Sequence, residues 1–383
     1  MHVCIINTLY YPFSVGGAEK SVQMLAEGLI EKGCKVSVVT LSEKNGREMV
    51  NGVSVNRLSL SNIYWPFVKR KRASWVKILW HLIDQFNIFS MFKVYDVLKE
   101  IKPDVVHTNN LSGFSVSIWF SCWVLKLPIL HTCRDYYLFN HTAVVDEPGR
   151  GIMFLPFLLK KHCSKLVDRY VGISRYIYGL HNDHGFFKNT CGGVVYNSVD
   201  HQSSMVERKS EDMIRIGFIG RLNYSKGYDL FLSICSSYAD CQGVRIQAVV
   251  AGIGDEEFVL ESEKEISPRL DLLKLGHVQL SEFLEVVDCV VLPVRWAEPF
   301  GRVVVECAFS GLPVYVSNYG GIPELENIFP NVKFLNNTNM NDIPISEIKK
   351  YFEVGQSAVE IFSVNAVAKS YLKIYEELVL KNK

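Results

Sequence analysis

The sequence predicts an α/β protein built as two parallel-sheet domains, and three observations carry that expectation. Short runs of β-forming residues alternate with segments of helical period along most of the chain, as parallel sheets covered by helices require. At 383 residues the chain is longer than one hydrophobic core ordinarily serves. A polar stretch around residues 203–213, with Glu207, Arg208, Lys209, Glu211 and Asp212, interrupts the apolar rhythm near the middle.

The first unit shows the pattern. Strand 2-HVCIIN-7 leads through loop 14-SVGGAEK-20 into a helix whose Val22, Leu25, Ala26, Leu29 and Ile30 form one apolar stripe. Gly33 stops that helix and 35-KVSVVT-40 is the next strand. Further strands are expected at 104–108, 128–132, 169–174 and 193–197. Past the polar stretch they are expected at 215–220, 244–252, 272–276, 288–294 and 313–318. The closing helix carries Val367, Tyr371, Ile374, Tyr375 and Leu378 on one face. We place an N-terminal domain at 1–205 and a C-terminal domain at 206–364, with the closing helix, about 365–383, packing back on the first. Two such domains leave a cleft between the carboxyl ends of their strands, where ligands bind in folds of this kind.

Composition excludes several classes. Forty-one basic against forty acidic residues leave +1, no field for nucleic acid, so nucleic acid is not an expected partner. Ten cysteines without a C-x-x-C pair read as buried reduced thiols, with no zinc site. The N-terminus has no basic region ahead of its apolar run and reads as a strand, not a signal peptide. The longest uncharged apolar run, 114-FSVSIWFSCWVL-125, falls short of the ~20 residues a membrane span needs. The expectation is a cytoplasmic protein, soluble or peripheral.

Four loops at strand ends are candidates for chemistry. Gly16-Gly17 opens a helix, where close backbone approach and free N–H groups suit an anion. The second, 220-GRLNYSKG-227, places Arg221 and Lys226 in one loop, but Ser225 and Gly227 break the P-loop pattern, so an NTPase is excluded. The third, 252-GIGDEE-257, starts like a dinucleotide fingerprint and has Glu257 where the last glycine belongs, so no nicotinamide site is expected.

The fourth, 298-EPFGRVVVE-306, sets Glu298 in a loop and Glu306 about one and a half turns into the following helix. A carboxylate in such an apolar run needs a partner. Sugar hydroxyls supply one, since each O–H donates without neutralising the acid. Helix N–H groups between the two acids suit a phosphate. The stretch therefore fits two hydroxyl-rich units flanking a diphosphate, which is a nucleotide sugar. The plain alternative for Glu306 is a pair with Arg302.

These segments also carry a family resemblance. The sequence resembles the retaining glycosyltransferases of family 4, of GT-B fold, over nearly its whole length. It does so through 219-IGRLNYSKGYDL-230, 275-LGHV-278, 288-DCVVLPVRWAEPFGRVVVECAFSGLPVYVSNYGGIPE-324, Gly16-Gly17, 104-DVVHTNN-110, 131-HTCRDYY-137 and 196-YNSVD-200. The resemblance implies two Rossmann-like domains with parallel sheets facing each other across a deep cleft. It implies that Glu298 lies against the donor sugar, that Phe300 and Gly301 offer it backbone N–H groups, and that Glu306 takes the ribose hydroxyls. Arg221 and Lys226 would bind the diphosphate, Gly16 and Gly17 would approach it from the other domain, and the base would lie near His277-Val278. No D-x-D pair is present, and with those cations no metal and no other cofactor is expected. Many members have His-Asp where this chain has Arg134-Asp135. Arg134 stays protonated and cannot serve as a base, but suits an anionic acceptor or a phosphate. His107 and Asn109 are further candidates on the acceptor side.

One segment points to lipid. Residues 65–86 interleave Lys69, Arg70, Lys71, Arg72 and Lys77 with Trp65, Phe67, Trp75 and Trp80, and contain one acid, Asp84. A basic, aromatic, amphipathic segment suits an anionic membrane surface, and 153–166 extends it. The expected activity is therefore transfer of a hexose or N-acetylhexosamine from a nucleotide-diphosphate sugar, UDP before GDP. The acceptor would be a glycan or a lipid-linked molecule of surface polysaccharide or lipopolysaccharide synthesis, at the inner face of the plasma membrane. The alternatives are a nucleotide-sugar epimerase or hydrolase of the same fold, or a non-catalytic binding protein.

Overall fold

Strand β1 (His2–Ile6) has Val3, Cys4, Ile5 and Ile6 wholly buried, as a strand covered on both faces must. In the computed structural model it lies inside an eight-stranded sheet of order β3-β4-β2-β1-β5-β6-β7-β8. Its other strands are β2 (Lys35–Ser42), β3 (Gly46–Val50), β4 (Val53–Ser59), β5 (Val105–Thr108), β6 (Ile129–Cys133), β7 (Arg169–Gly172) and β8 (Cys191–Val194). All pairs are parallel except β3 on β4. The structure describes all residues except 15, 69, 141–153, 189, 200–212, 242–244, 336–339, 342 and 383. Lys69 and the expected domain boundary lie outside the described residues. The chain divides into one unit of Met1–Ser198 with Phe362–Lys383 and another of Val199–Ile361.

In the first unit, α1 (Gly17–Glu31) sinks Val22, Leu25, Ala26 and Leu29 into a core shared with β1, β2 and the closing helix Val364–Lys381. That helix contributes Val367, Ala368, Tyr371, Tyr375 and Leu378. Gly28 permits its approach, since a Cβ there would sit 2.6 Å from Val364 Cγ1.

Four more helices meet at one polar turn. Between α2 (Ser74–Ile83) and α3 (Ile88–Ile101), Asp84 Oδ1 accepts the Gly113 N–H at 2.6 Å and the Asp84 carbonyl accepts the Tyr137 hydroxyl at 2.8 Å. The Asn87 N–H donates to Ser115 Oγ at 2.8 Å, and Ser117 Oγ donates to the Asn87 carbonyl at 2.7 Å. Helix α4 (Ile118–Val124) therefore lies alongside α3, joined again where Ser121 Oγ donates to the Met91 carbonyl at 2.7 Å. Lys160 of α5 (Phe154–Cys163) donates to the Tyr137 carbonyl at 2.6 Å.

The structure corrects one residue of the expected lipid patch. Trp80 is only 3% exposed and its Nε1 donates to the Tyr64 carbonyl at 3.0 Å. Helical period puts Trp75, Ile78, Leu79 and Leu82 on one side of α2 and turns Trp80 inward. Trp80 anchors α2; it does not face lipid.

The second unit holds six parallel strands: β9 (Met213–Ile219), β10 (Arg245–Ala251), β11 (Leu270–Gly276), β12 (Cys289–Leu292), β13 (Val314–Val316) and β14 (Val332–Phe334). Their order is β11-β10-β9-β12-β13-β14. The chain winds outward one way from β9 and then the other way from β12, so the strand order reverses between those two, the position where such sheets bind ligands.

Candidate functional site

Loop Gly220–Gly227 follows β9, and residues 293–301 follow β12, so adjacent strands deliver both to one edge of the sheet. The turn of the first loop is set by Asn223, whose Oδ1 accepts the Lys226 N–H at 2.9 Å and the Ser225 hydroxyl at 3.0 Å. The Arg295 N–H donates to the Ser225 carbonyl at 2.9 Å, which ties the two loops. Gly227 makes that approach possible: its φ is +75° and a Cβ would lie 2.0 Å from the Pro293 carbonyl oxygen.

The consequence is an ion pair, Lys226 Nζ on Glu298 Oε1, with both side chains largely sheltered. The ammonium also lies 5.1 Å from the centroid of the Trp296 ring. A third loop fixes the carboxylate's backbone. Gly321 N–H donates to the Glu298 carbonyl at 2.7 Å, and a Cβ on Gly320, at φ +67°, would meet that same oxygen at 2.3 Å.

The other expected residues of this unit fall on neighbouring loops. Arg221 shares the Lys226 loop, is exposed, and makes no side-chain hydrogen bond or ion pair among the described residues. Its loop lies against 252–254: Leu222 N–H donates to the Ile253 carbonyl at 3.0 Å, and a Cβ on Gly252 would be 1.8 Å from the Gly220 carbonyl oxygen. The glycines of 252-GIGD-255 thus serve close packing.

Gly301, at φ +84°, precedes the helix Arg302–Ala308, with Phe300 buried beside it. Glu306 Oε1 accepts from Arg302 Nε at 2.7 Å, the i,i+4 pair that was the plain alternative for this acid. Val278 is half-buried just beyond β11, beside the exposed His277. The structure therefore joins Lys226 to Glu298 and Glu306 to Arg302 as two separate pairs. Asn223, Trp296, Gly227 and Gly320 are the supports that sequence reasoning missed, although all four lie in or beside segments it singled out.

In the first unit, Gly16 and Gly17 open α1, exposed, and the Gly16 N–H donates to Glu19 Oε2 at 3.0 Å. The chain's own carboxylate takes the anion position at that helix start. His107 is wholly buried, its ring nitrogens at 2.7 Å from both Tyr375 Oη and Thr132 Oγ1. Burial, then the nearby Arg134 and His131, holds it well below the usual imidazole range, so it is a neutral packing group with no polar edge left.

Arg134, Asn109 and Asn197 come together at the carboxyl ends of β6, β5 and β8. Arg134 Nε donates to Asn109 Oδ1 at 2.7 Å and Nη1 donates to Asn197 Oδ1. Asp135 Oδ1 accepts the Tyr137 N–H at 2.9 Å, and burial pushes its carboxyl up to about 6.

Two α/β units, the second with its charged pair where strand order reverses, place the chain among open α/β folds that bind ligands at such points. Comparison narrows the class: the chain belongs to the family 4 glycosyltransferases, of GT-B fold. Residues 15–203 match the model described as Glycosyltransferase Family 4, and residues 201–344 match Glycosyl transferases group 1. A protein of Klebsiella pneumoniae, described as an uncharacterized 42.6 kDa protein in cps region, is 41% identical over 98% of this chain and 100% of its own. The gpi3 component of the phosphatidylinositol N-acetylglucosaminyltransferase of Schizosaccharomyces pombe is 26% identical over 84% of this chain and 67% of its own. Among solved structures, Anabaena HepE in complex with UDP and glucose superposes with a TM-score of 0.68 at 15% identity, covering 98% of this chain and 99% of that one.

Proposed function

We propose that this glycosyltransferase moves a hexose or N-acetylhexosamine, with retention and without a metal, from a UDP-sugar to a glycan or lipid-linked acceptor of a surface polysaccharide. GDP-sugar is the second choice of donor, and lipopolysaccharide synthesis the second setting. The observation that carries the reading is the Lys226–Glu298 pair at the reversal point of the second sheet. Each partner has a complementary group on a nucleotide sugar: Glu298 accepts from a sugar hydroxyl, and Lys226, with Arg221, neutralises the diphosphate. The pair opens as the donor enters. The bond from the anomeric carbon to the diphosphate oxygen then breaks with its electrons going to the diphosphate, whose charge those cations stabilise. The acceptor hydroxyl adds on the same face and its proton passes to the departing oxygen. Glu306 turns from Arg302 to the ribose hydroxyls.

The relatives support the setting. One is named for a cps region, one for glycosyl transfer to phosphatidylinositol, and HepE is described with UDP and glucose. The exposed Arg70, Lys71, Trp75 and Lys77 support contact with an anionic membrane at the inner face of the plasma membrane. The test is a thermal-shift panel of UDP-, GDP- and ADP-sugars, in which the true donor raises the melting point most. Transfer assays with and without EDTA follow, and loss of activity in EDTA rejects the metal-free route. Release of free sugar or an epimer as the main product, with no acceptor glycosylated, rejects transfer in favour of hydrolysis or epimerisation.

A further inference from the structure

The first unit exposes large apolar side chains on four helices. Trp75 of α2 is 68% exposed, Phe89 of α3 74%, Trp123 of α4 61% and Leu155 of α5 62%. Ile78, Phe92, Val124 and Leu158 accompany them, all exposed. Scattered apolar residues are ordinary on a protein surface, but a cluster on neighbouring helices marks a place where something binds. These helices are neighbours. The Asp84–Asn87 turn bonds to Gly113, Ser115 and Ser117 ahead of α4 and to Tyr137, and Tyr137 in turn receives Lys160 of α5.

Charge says what the occupant is. Across residues 60–94, 110–134 and 154–167 the single acid is Asp84, which is 1% exposed. Among the described residues the exposed cations there are Arg70, Lys71, Lys77, Lys126 and Lys165. Three stretches of chain, far apart in sequence, thus bring apolar and positive side chains to the surface, and the exposed acids of α3, Asp96 and Glu100, lie beyond its first two turns. A protein partner would ordinarily meet a mixed-sign rim.

We propose that α2, the first turns of α3, the end of α4, and α5 together form one docking face for an anionic lipid bilayer, with Phe89, Phe92, Trp123, Leu155 and Leu158 entering the acyl boundary. The face extends beyond the basic segment of α2, and the inference rests on the membrane contact proposed above, not on the donor assignment. The apolar side chains supply depth and the cations supply lipid preference. Trp80 and Lys160, both buried, hold the helices in place.

The experiment sediments the full chain with vesicles of phosphatidylcholine alone and with roughly one-third phosphatidylglycerol added. Wild type binds the anionic vesicles. Phe89→Ser with Trp123→Ser, and separately Leu155→Ser with Leu158→Ser, lower the bound fraction at least about tenfold, while melting point and the shift given by the donor stay unchanged. Lys126→Glu weakens binding to anionic vesicles only. Wild type that stays in the supernatant overturns the proposal, as do serine variants that bind like wild type. Serine variants that lose self-association in light scattering while no form binds vesicles assign the face to a second copy, and also overturn it. Vesicle binding without any nucleotide-sugar shift leaves this inference standing and removes the donor reading.

Discussion

At the scale of single residues, the Lys226–Glu298 pair makes the sharpest prediction. In the structure the two sheltered charges neutralise each other. Removing either costs folding stability about 1 kcal/mol, because the loops can still hydrate what remains. Transfer suffers far more: Lys226→Ala, Arg221→Ala and Glu298→Ala should each lower kcat/KM by ~100-fold or more, a few kcal/mol of transition-state stabilisation. Full activity in Lys226→Ala removes it from the mechanism. The residues of this pair were legible in the chain, since a Lys loop without a P-loop pattern and an acid ahead of an apolar helix both asked for partners. Their meeting was not, because 71 residues separate them and the contact depends on strand order. His107 shows the opposite failure. A histidine at a strand end looks chemical in sequence, yet Tyr375, 268 residues away, and Thr132 use up its nitrogens.

At the scale of elements, the long, apolar strands and the periodic helices were readable because burial on both faces leaves a continuous apolar run. Strands β3, 46-GREMV-50, and β4, 53-VSVNRLS-59, both escaped notice: β3 is an exposed edge and β4 mixes polar residues into its buried positions. Strand β14 has only three residues. The site's rigidity comes from loops pressed together at glycines, which predicts an asymmetry among glycine substitutions. Gly227→Ala puts a methyl into the Pro293 carbonyl and Gly320→Ala puts one into Glu298, both at positive φ. Each should cost at least about 2 kcal/mol and displace the Lys226 or Glu298 loop. Gly179→Ala, inside the helix Arg175–Asp183 with nothing within 4 Å, should instead gain up to about 1 kcal/mol. Thermal denaturation with and without donor checks the set: the first two lower both the melting point and the donor shift, and the third raises the melting point with the shift intact.

At the scale of the whole molecule, the two units carry different sensitivities. Among the described residues the buried histidines with lowered pKa values are in the first unit: His131 falls to about 3 and His181 to about 4, chiefly by burial, and His107 lies well below its usual range. Each is neutral in the fold, whereas the unfolded chain takes up its proton below about 6.5. Their stabilisation is therefore complete above that pH and is lost as pH falls from 6.5 toward the folded values. Asp84 and Asp135, raised by burial, bind protons in the folded state over part of the same range and offset two of the three. Among these five groups about one uncompensated proton remains, a loss of roughly 1.4 kcal/mol per pH unit, which Asp168, also raised by burial in this unit, reduces at the acid end. Apart from Gly16 and Gly17, the residues proposed to hold the donor, Glu298, Glu306, Arg221 and Lys226 among them, lie in the second unit. Acid should thus lower the melting of the first unit, while a saturating donor, at 100 times its Kd, adds about 2.7 kcal/mol to the second. Calorimetry at pH 5 should show the two transitions drawing apart, with nucleotide sugar moving only the later one. His181→Phe keeps the packing on Phe139 and Phe186 but removes one titrating ring. Its earlier transition should lose stability between pH 6.5 and 4 less steeply than wild type by up to one proton. An unchanged slope in that variant means the acid sensitivity has another source.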